Sequence, residues 1–236
     1  MKSSKETLAF LLPNLLTSAS IFSGVFSMIN AIEGNFEKAA WLVFLALVFD
    51  GLDGRVARLT NSCSKFGVEY DSLADVVSFG VAPALLMYQF VGHEFGRFGV
   101  VVSALYVIFG AIRLARFNVM NAKVEPSVFI GVPIPTAAVF ISLLVLLFHK
   151  YQSINSALLL LFLSIGVSLL MVSNIRYPSF KKVDLNKQHF RKLFIALTAA
   201  FLFVFIYPIE GIVTLFFIYI LYGPLRSLYL FKKRNK

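Results

Sequence analysis

Apolar runs of about 20 residues follow one another along the whole chain, and this pattern restricts the possible fold more than any other feature. They are centred near residues 18, 48, 80, 107, 138, 163, 199 and 220, and each approaches the roughly 20 residues that a helix needs to cross a bilayer. Hydrophobic residues make up 58% of the 236 residues, whereas soluble domains are about 45–50% apolar. The sequence therefore predicts an all-α integral membrane protein with about eight transmembrane helices.

We expect residues 1–236 to form a single polytopic membrane domain. Its catalytic core is predicted at about residues 8–182, and two further helices at about residues 190–232. The first apolar run is longer than the apolar part of a signal peptide and contains Pro13-Asn14 and Thr17, so we interpret it as a retained helix.

Basic residues are distributed unevenly between the predicted loops. If both termini are cytoplasmic, only Lys38, Arg97 and Lys150 lie on the opposite side of the membrane. The cytoplasmic side then carries Lys2, Lys5, Arg58, Lys65, Arg116, Lys123 and the basic residues of segments 176–192 and 232–236. The positive-inside rule therefore predicts cytoplasmic termini. The formal net charge of +10 is explained by this topology and by anionic lipid headgroups, and no motif for reading nucleic acid is present.

Four aspartates interrupt two of the apolar runs. Asp50 and Asp53 lie near the end of one run, and Asp71 and Asp75 near the start of the next. A central aspartate costs roughly 2.5–3.5 kcal/mol to insert, so four that faced lipid would cost on the order of 10 kcal/mol. We therefore expect all four carboxylates to face the protein interior and to meet cations there.

The spacing of the aspartates indicates one shared site. At about 100° per residue, each pair falls on a single helix face together with small residues. If the two helices form an antiparallel hairpin that turns near Ser62, Asp53 lies level with Asp71, and Asp50 with Asp75. Four converging carboxylates suit hard divalent cations such as Mg²⁺ or Mn²⁺, particularly where substrate phosphates complete the coordination. The pattern favours a two-metal phosphoryl-transfer site.

The full pattern around these aspartates is D-x2-D-G-x2-A-R-x8-G-x3-D-x3-D, from Asp50 to Asp75. It resembles the signature of the CDP-alcohol phosphotransferases, membrane enzymes that join a CDP-linked group to an alcohol and release CMP. The resemblance implies that Asp50, Asp53, Asp71 and Asp75 bind two divalent ions and that Asp75 is also the general base. It further implies a CDP-lipid site formed by Asn14, Thr17, Gly54, Ala57, Arg58, Ser64 and Gly67, and a homodimer.

A second polar segment, R-L-A-R-F-N, ends the run centred near residue 107. Arg113 and Arg116 are one helical turn apart, and guanidinium groups bind carboxylates in a bidentate geometry. With Asn118 they suggest a pocket for a small amino acid. This stretch, residues 129–138 and residues 172–181 are similar to the phosphatidylserine synthase branch of the family, which implies L-serine as the acceptor.

The chain is therefore predicted to transfer a phosphatidyl or archaetidyl group from CDP-diacylglycerol or CDP-archaeol to the serine hydroxyl, in a membrane and at its cytoplasmic surface. Inositol phosphate or glycerol phosphate is an alternative acceptor, because either would also need basic residues. A divalent-cation transporter is a more remote alternative. The sequence leaves open whether the lipid is an ester or an ether.

Overall fold

We describe the protein from a computed structural model, in which residues 4–120, 128–151, 156–178, 198 and 200–234 are described. Its helices are α1 (Ser4–Ile32), α2 (Phe36–Leu59), α3 (Lys65–Asp75), α4 (Ala82–Phe90), α5 (Arg97–Met120), α6 (Ile134–Tyr151), α7 (Ser156–Val172) and α8 (Pro208–Arg234). A π-helical segment (Val76–Val81) joins α3 to α4, and a 3-10 turn (Gly92–Phe95) precedes α5. Strands β1 (Val128–Ile130) and β2 (Arg176–Pro178) form one antiparallel pair.

Five of the described helices or helix pairs are long and apolar enough to cross a membrane: Leu11–Ile32, Lys65–Phe90, Arg97–Val119, Ile134–Tyr151 and Pro208–Ser227. Helix α2 is of similar length but carries more charge, and α7 is a shorter apolar helix. Of the run centred near residue 199, the structure describes only residues 198 and 200–206, which are helical. The predicted all-α, multi-pass membrane fold is confirmed, with the two short strands as an addition.

Small residues bring α1 and α2 together over much of their length. Ser20, Ser23 and Ser27 of α1 are buried, as are Ala39 and Ala40 of α2. The Ser27 hydroxyl donates a hydrogen bond to the Ala39 carbonyl at 2.7 Å, a distance that only closely packed helix backbones allow. Because lipid supplies little hydrophobic driving force between helices, such close packing and hydrogen bonding hold the pair together. Helix α1 also contacts α3, so it lies against both aspartate-bearing helices.

The π-helical segment directly follows Asp75 and is held from two sides. On one side, the Ser78 hydroxyl donates to the Ser20 carbonyl of α1 at 2.9 Å. Gly24 of α1 also lies close to Ser78, since a Cβ at position 24 would be 2.9 Å from Ser78 Cα. On the other side, the buried Tyr106 hydroxyl of α5 donates to the Phe79 carbonyl at 3.2 Å. Widened turns of this kind leave backbone carbonyls to be satisfied by neighbours, and they are frequent at functional sites.

Helix α6 forms the centre of the bundle. Nearly every residue from Ile134 to Leu146 is buried or partly buried, and α6 packs against α2, α4, α7 and α8. Helix α8 is attached to it at one end by a salt bridge between Lys150 and Glu210, whose N–O distance is 2.6 Å. The Tyr151 hydroxyl donates to the same Glu210 oxygen at 2.5 Å. The N-terminal end of α8 is therefore tied to the C-terminal end of α6.

Candidate active site

Carboxylates from two helices converge where α2 and α3 face each other. One oxygen from each of Asp50, Asp53 and Asp71 can be chosen so that all three lie within 4.8 Å of one another. Asp75 lies deeper, and its carboxyl interacts electrostatically with that of Asp50. The pairing of Asp50 with Asp75 and of Asp53 with Asp71 follows the level arrangement that the spacing predicts. The two backbones do not pack closely, so the side chains occupy the space between them.

Three clustered carboxylate oxygens are the donor set that hard divalent cations prefer. Asp75 adds a buried oxygen, Oδ1, with no hydrogen-bond partner among the described residues, and its side chain is only 9% exposed. Buried polar atoms are normally satisfied, so an orphaned carboxylate oxygen beside three further carboxylates indicates that a cation or a substrate group completes the site. The residues present therefore fit a divalent-metal centre.

Thr17 of α1 orients one of these carboxylates. Its hydroxyl lies 2.6 Å from Asp53 Oδ2 and 3.1 Å from the Pro13 carbonyl, so the single proton can be donated to either acceptor. Both Thr17 and Asp53 are buried. Sequence analysis assigned Thr17 to the CDP-lipid site only. The structure adds a contact that restrains a carboxylate of the cluster.

A polar cavity of about 200 Å³ opens beside the aspartates, between α1, the end of α2 and the start of α3. Asp53 and Asp71 form part of its wall, so the cavity is continuous with the carboxylate cluster. All seven residues that sequence analysis assigned to the CDP-lipid line this one cavity: Asn14, Thr17, Gly54, Ala57, Arg58, Ser64 and Gly67. Ser62 and Cys63 complete the wall nearest the loop.

Small residues and a helix N-terminus shape this cavity. Ser64 is the N-cap of α3, and its hydroxyl accepts a hydrogen bond from the Gly67 amide at 3.0 Å. A side chain at Gly67 would come within 3.2 Å of Ser64 Oγ and would narrow the cavity. The Arg58 guanidinium lies close to Gly54, where a Cβ would sit 3.5 Å from Nη1. A guanidinium opposite the N-terminal end of a helix provides an environment suited to anions.

Arg113 of α5 lies on the deep side of the site, within electrostatic range of Asp75. The side chain is only 7% exposed, and its Nε has no hydrogen-bond partner among the described residues. The guanidinium lies 5.5 Å from the centroid of the Phe117 ring. A buried guanidinium with an unused donor, within electrostatic range of a carboxylate with an unused acceptor, is suited to hold a small zwitterionic or polar molecule.

Arg116 and Asn118 are both hydrogen-bonded to neighbouring segments of the protein. Arg116 Nη1 donates to the Val172 carbonyl at 3.0 Å and to Asn174 Oδ1 at 3.1 Å, and Nη2 donates to the carbonyls of Ser173 at 3.0 Å and Ile130 at 3.5 Å. Sequence analysis placed this guanidinium in the serine pocket. With both terminal nitrogens satisfied by protein oxygens, the geometry favours a positioning role, in which Arg116 fixes the end of α7 and strand β1.

Asn118 joins α5 to α3. Its Nδ2 donates to the Ser72 hydroxyl at 2.9 Å, next to Asp71 in the chain. Of the three residues that sequence analysis assigned to serine, Arg113 therefore has an unused donor beside Asp75, whereas Arg116 and Asn118 are engaged with neighbouring segments. The sequence pattern alone could not separate the two arginines, since both fall at the same end of one helix.

Fold and site together define a multi-pass membrane protein with a carboxylate cluster suited to divalent cations, which opens into a cavity lined by Arg58 and the N-terminal end of α3. Such a site is typical of a membrane enzyme that acts on a phosphorylated substrate. The family model for CDP-alcohol phosphatidyltransferases matches residues 10–172, and the chain belongs to this family. The resemblance stated from the sequence is confirmed.

Curated relatives cover most of the chain. A CDP-diacylglycerol–serine O-phosphatidyltransferase of Helicobacter pylori is 53% identical over 226 residues, which are 95% of this chain and 94% of that protein. An archaetidylserine synthase of Methanothermobacter thermautotrophicus is 42% identical over 180 residues, 75% of this chain and 74% of that one. A Bacillus subtilis protein with the same name as the first is 36% identical over 171 residues, 72% of this chain and 92% of that protein.

The single cysteine of the chain gives a direct probe of the cavity. Cys63 is exposed and lines the cavity wall. If the cavity binds the nucleotide of a CDP-alcohol, CDP with Mg²⁺ should slow the labelling of Cys63 by a maleimide. At a nucleotide concentration ten times its dissociation constant, the labelling rate should fall at least about tenfold, because only the free protein can then be labelled. The rate is measured by mass shift in detergent. In the control Cys63→Ser/Glu69→Cys, the thiol lies on the exposed side of α3 and its labelling should not change. Equal labelling of Cys63 with and without nucleotide would contradict this assignment.

Proposed function

We propose that the protein transfers a phosphatidyl or archaetidyl group from a CDP-linked lipid to the hydroxyl of L-serine and releases CMP. The observation that carries the proposal is the position of the aspartate cluster, with the cavity on one side and, on the other, Asp75 and Arg113, which each leave a buried polar atom without a hydrogen-bond partner among the described residues. A donor and an acceptor could therefore meet at the carboxylates. The names of the relatives support serine as the acceptor.

Asp50, Asp53, Asp71 and Asp75 are the residues proposed to hold two divalent cations, Mg²⁺ or Mn²⁺. When bound, such cations would neutralise the diphosphate and stabilise the charge that develops on departing CMP. Thr17 restrains the Asp53 carboxylate for this role through its 2.6 Å contact. Because the carboxylates are within a few ångströms of one another, they would repel strongly if no cation were present.

The nucleotide part of the donor is proposed to occupy the cavity. Arg58 and the N-terminal end of α3 would bind the diphosphate, and Gly54, Ala57 and Gly67 leave room for it to approach the helix backbones. Asn14, Thr17 and Ser64 supply polar contacts around it. The lipid chains would remain in the membrane between helices, because moving them into water costs roughly 0.8 kcal/mol per CH₂.

Asp75 is proposed as the general base. Its Oδ1 is buried and has no partner among the described residues, so it is free to accept the proton of the attacking hydroxyl. Arg113 would bind the serine carboxylate and so direct the hydroxyl toward Asp75. Arg116 and Asn118 contribute to the same pocket indirectly, by positioning the segments around it. The α2–α3 region shows no serine, cysteine or histidine paired with a base, which supports direct attack by the acceptor in a ternary complex.

The orientation of the site is also a proposal. The positive-inside rule supports cytoplasmic termini and a cytoplasmic loop between α2 and α3, which places the cavity at the surface where CDP-linked substrates and serine are present. The family resemblance supports a homodimer. Inositol phosphate and glycerol phosphate remain the alternative acceptors, since Arg113 could equally bind a phosphate, and they are included in the test below.

Purified protein should convert CDP-diacylglycerol or CDP-archaeol and L-serine to the corresponding serine phospholipid and CMP. Radiolabelled serine, inositol phosphate and glycerol phosphate are supplied singly, and the products are separated by chromatography. Activity should disappear in excess EDTA after dialysis and return with Mg²⁺ or Mn²⁺, because the carboxylate cluster needs a cation to hold a diphosphate. Labelled lipid from another alcohol but not from serine would refute the proposed acceptor. Full activity in EDTA would refute the metal site.

Asp75→Asn should reduce turnover by at least the roughly 10²–10⁴-fold expected for a lost general base, while the KM for the CDP-lipid changes little. Asparagine keeps the volume of the side chain but cannot accept the proton. The matched control is Glu69→Gln, which removes an exposed carboxylate from the same helix and should leave turnover unchanged. Near-normal turnover of the Asp75 variant, with a folded protein by thermal unfolding, would assign Asp75 to structure.

Arg113→Gln should raise the KM for serine by roughly 10- to 100-fold, since a lost hydrogen bond to a charged group costs about 1.5–3 kcal/mol. The KM for the CDP-lipid should change little. Arg113→Lys should be intermediate, because an ammonium lacks the planar fork. Arg116→Ala, in contrast, should lower the unfolding temperature and impair the kinetics for both substrates, because it loses contacts to backbone carbonyls. The opposite assignment of the two arginines would follow if Arg116→Ala alone raised the serine KM with no loss of stability.

A further inference from the structure

Helix α8 brings a polar side chain to the neighbourhood of Arg113. Tyr219 is half-buried and lies within electrostatic range of the Arg113 guanidinium. Its ring packs against the ring of Tyr177, with 5.5 Å between centroids. The family match ends at residue 172, so both tyrosines belong to a part of the chain that the family pattern does not cover.

Two contacts hold α8 in this position. The Tyr177 ring is fully buried, and its hydroxyl donates to the Ile220 carbonyl at 3.1 Å. Gly223, one turn further along α8, lies directly over this ring, and a Cβ at position 223 would overlap Tyr177 Cζ and its hydroxyl. A side chain at that position would push α8 away from β2. The absence of a side chain at Gly223 therefore sets how closely Tyr219 approaches the site.

The position of Tyr177 is fixed in turn by Arg116. This guanidinium binds the carbonyls of Val172 and Ser173 and the Asn174 side chain, directly before strand β2. Strand β2 pairs with β1 in a register that sets Tyr177 opposite Phe129. A series of contacts thus runs from α5 through the end of α7 and β2 to α8, where Tyr219 lies within electrostatic range of Arg113.

We propose that α8 completes the acceptor pocket and that the Tyr219 hydroxyl donates a hydrogen bond to the carboxylate of the amino acid that Arg113 binds. The inference rests on the proposed function and extends it by a residue outside the family match. It is supported by the buried, unused Nε of Arg113, which indicates a ligand on this side of the guanidinium, and by the series of contacts that places Tyr219 there. A phenol and a guanidinium together would select an acceptor that carries a carboxylate.

Tyr219→Phe tests the hydroxyl alone, since the ring and its packing on Tyr177 are kept. We expect the KM for serine to rise about tenfold, as for a lost hydrogen bond to a charged group, with an unchanged KM for the CDP-lipid. Ethanolamine is serine without its carboxylate. In a competition of the two amines, with both products separated by chromatography, the preference for serine should fall by the same factor. Gly223→Ala should have a similar effect because it displaces α8.

Tyr222→Phe is the matched control, because it removes an exposed hydroxyl from the same helix and should leave both KM values unchanged. An unaltered serine KM in Tyr219→Phe, in enzyme whose wild type uses serine, overturns the inference whatever Gly223→Ala does. A rise of both KM values together with a lowered unfolding temperature also overturns it, since Tyr219 would then only support the fold. Failure of the wild type to use serine is seen without any variant and refutes the proposed function itself.

Discussion

Carboxylates inside a membrane protein must be kept out of contact with lipid, and their mutual repulsion must be overcome. The arrangement of α1, α2 and α3 follows from this constraint. Asp50 and Asp53 would be costly in contact with lipid, so α2 turns its charged face toward α3. The two aspartate-bearing helices do not pack closely on each other, and their carboxylates occupy the space between them. Helix α1 then joins them, through close packing on α2 and through Ser18, whose hydroxyl lies 2.8 Å from the Tyr70 hydroxyl of α3.

The small residues of α1 are as important to the site as the aspartates. Ser27 allows α1 to approach the Ala39 backbone, and this closeness carries Thr17, more than two turns away along the same helix, to Asp53. Further along α1, Ser20 and Gly24 contact the π-helical segment that follows Asp75. A larger residue at Gly24 would collide with Ser78 and displace the turn that carries the proposed base. One helix thus orients a carboxylate on each side of the site, although it contributes no charged ligand.

The fixed helical period predicts that the four aspartates lie on shared helix faces, whereas the residues that line the cavity were predicted only from the family resemblance. Helical spacing could not predict the contacts of Arg116, since its acceptors are three backbone carbonyls and the Asn174 side chain, which lie 14 to 58 residues away in the chain. Strands β1 and β2 are only three residues each, too short to show an alternating pattern. The π-helical segment depends on Tyr106 and Ser20, and neither partner can be identified before the helices are packed. The features that the sequence did not predict all depend on contacts between segments that are distant in the chain.

Different helices of the bundle form the proposed donor side and the proposed acceptor side of the site. The cavity and the carboxylates are formed by α1, α2 and α3, whereas Arg113 lies on α5 and Tyr219 on α8, the latter outside the family match. In the proposed enzyme, donor binding and phosphoryl transfer therefore depend on three helices that hold each other in place. The acceptor side is formed by helices that meet through Arg116, Tyr177 and Gly223. If the proposed acceptor side is correct, a change there would alter which alcohol is accepted without moving an aspartate.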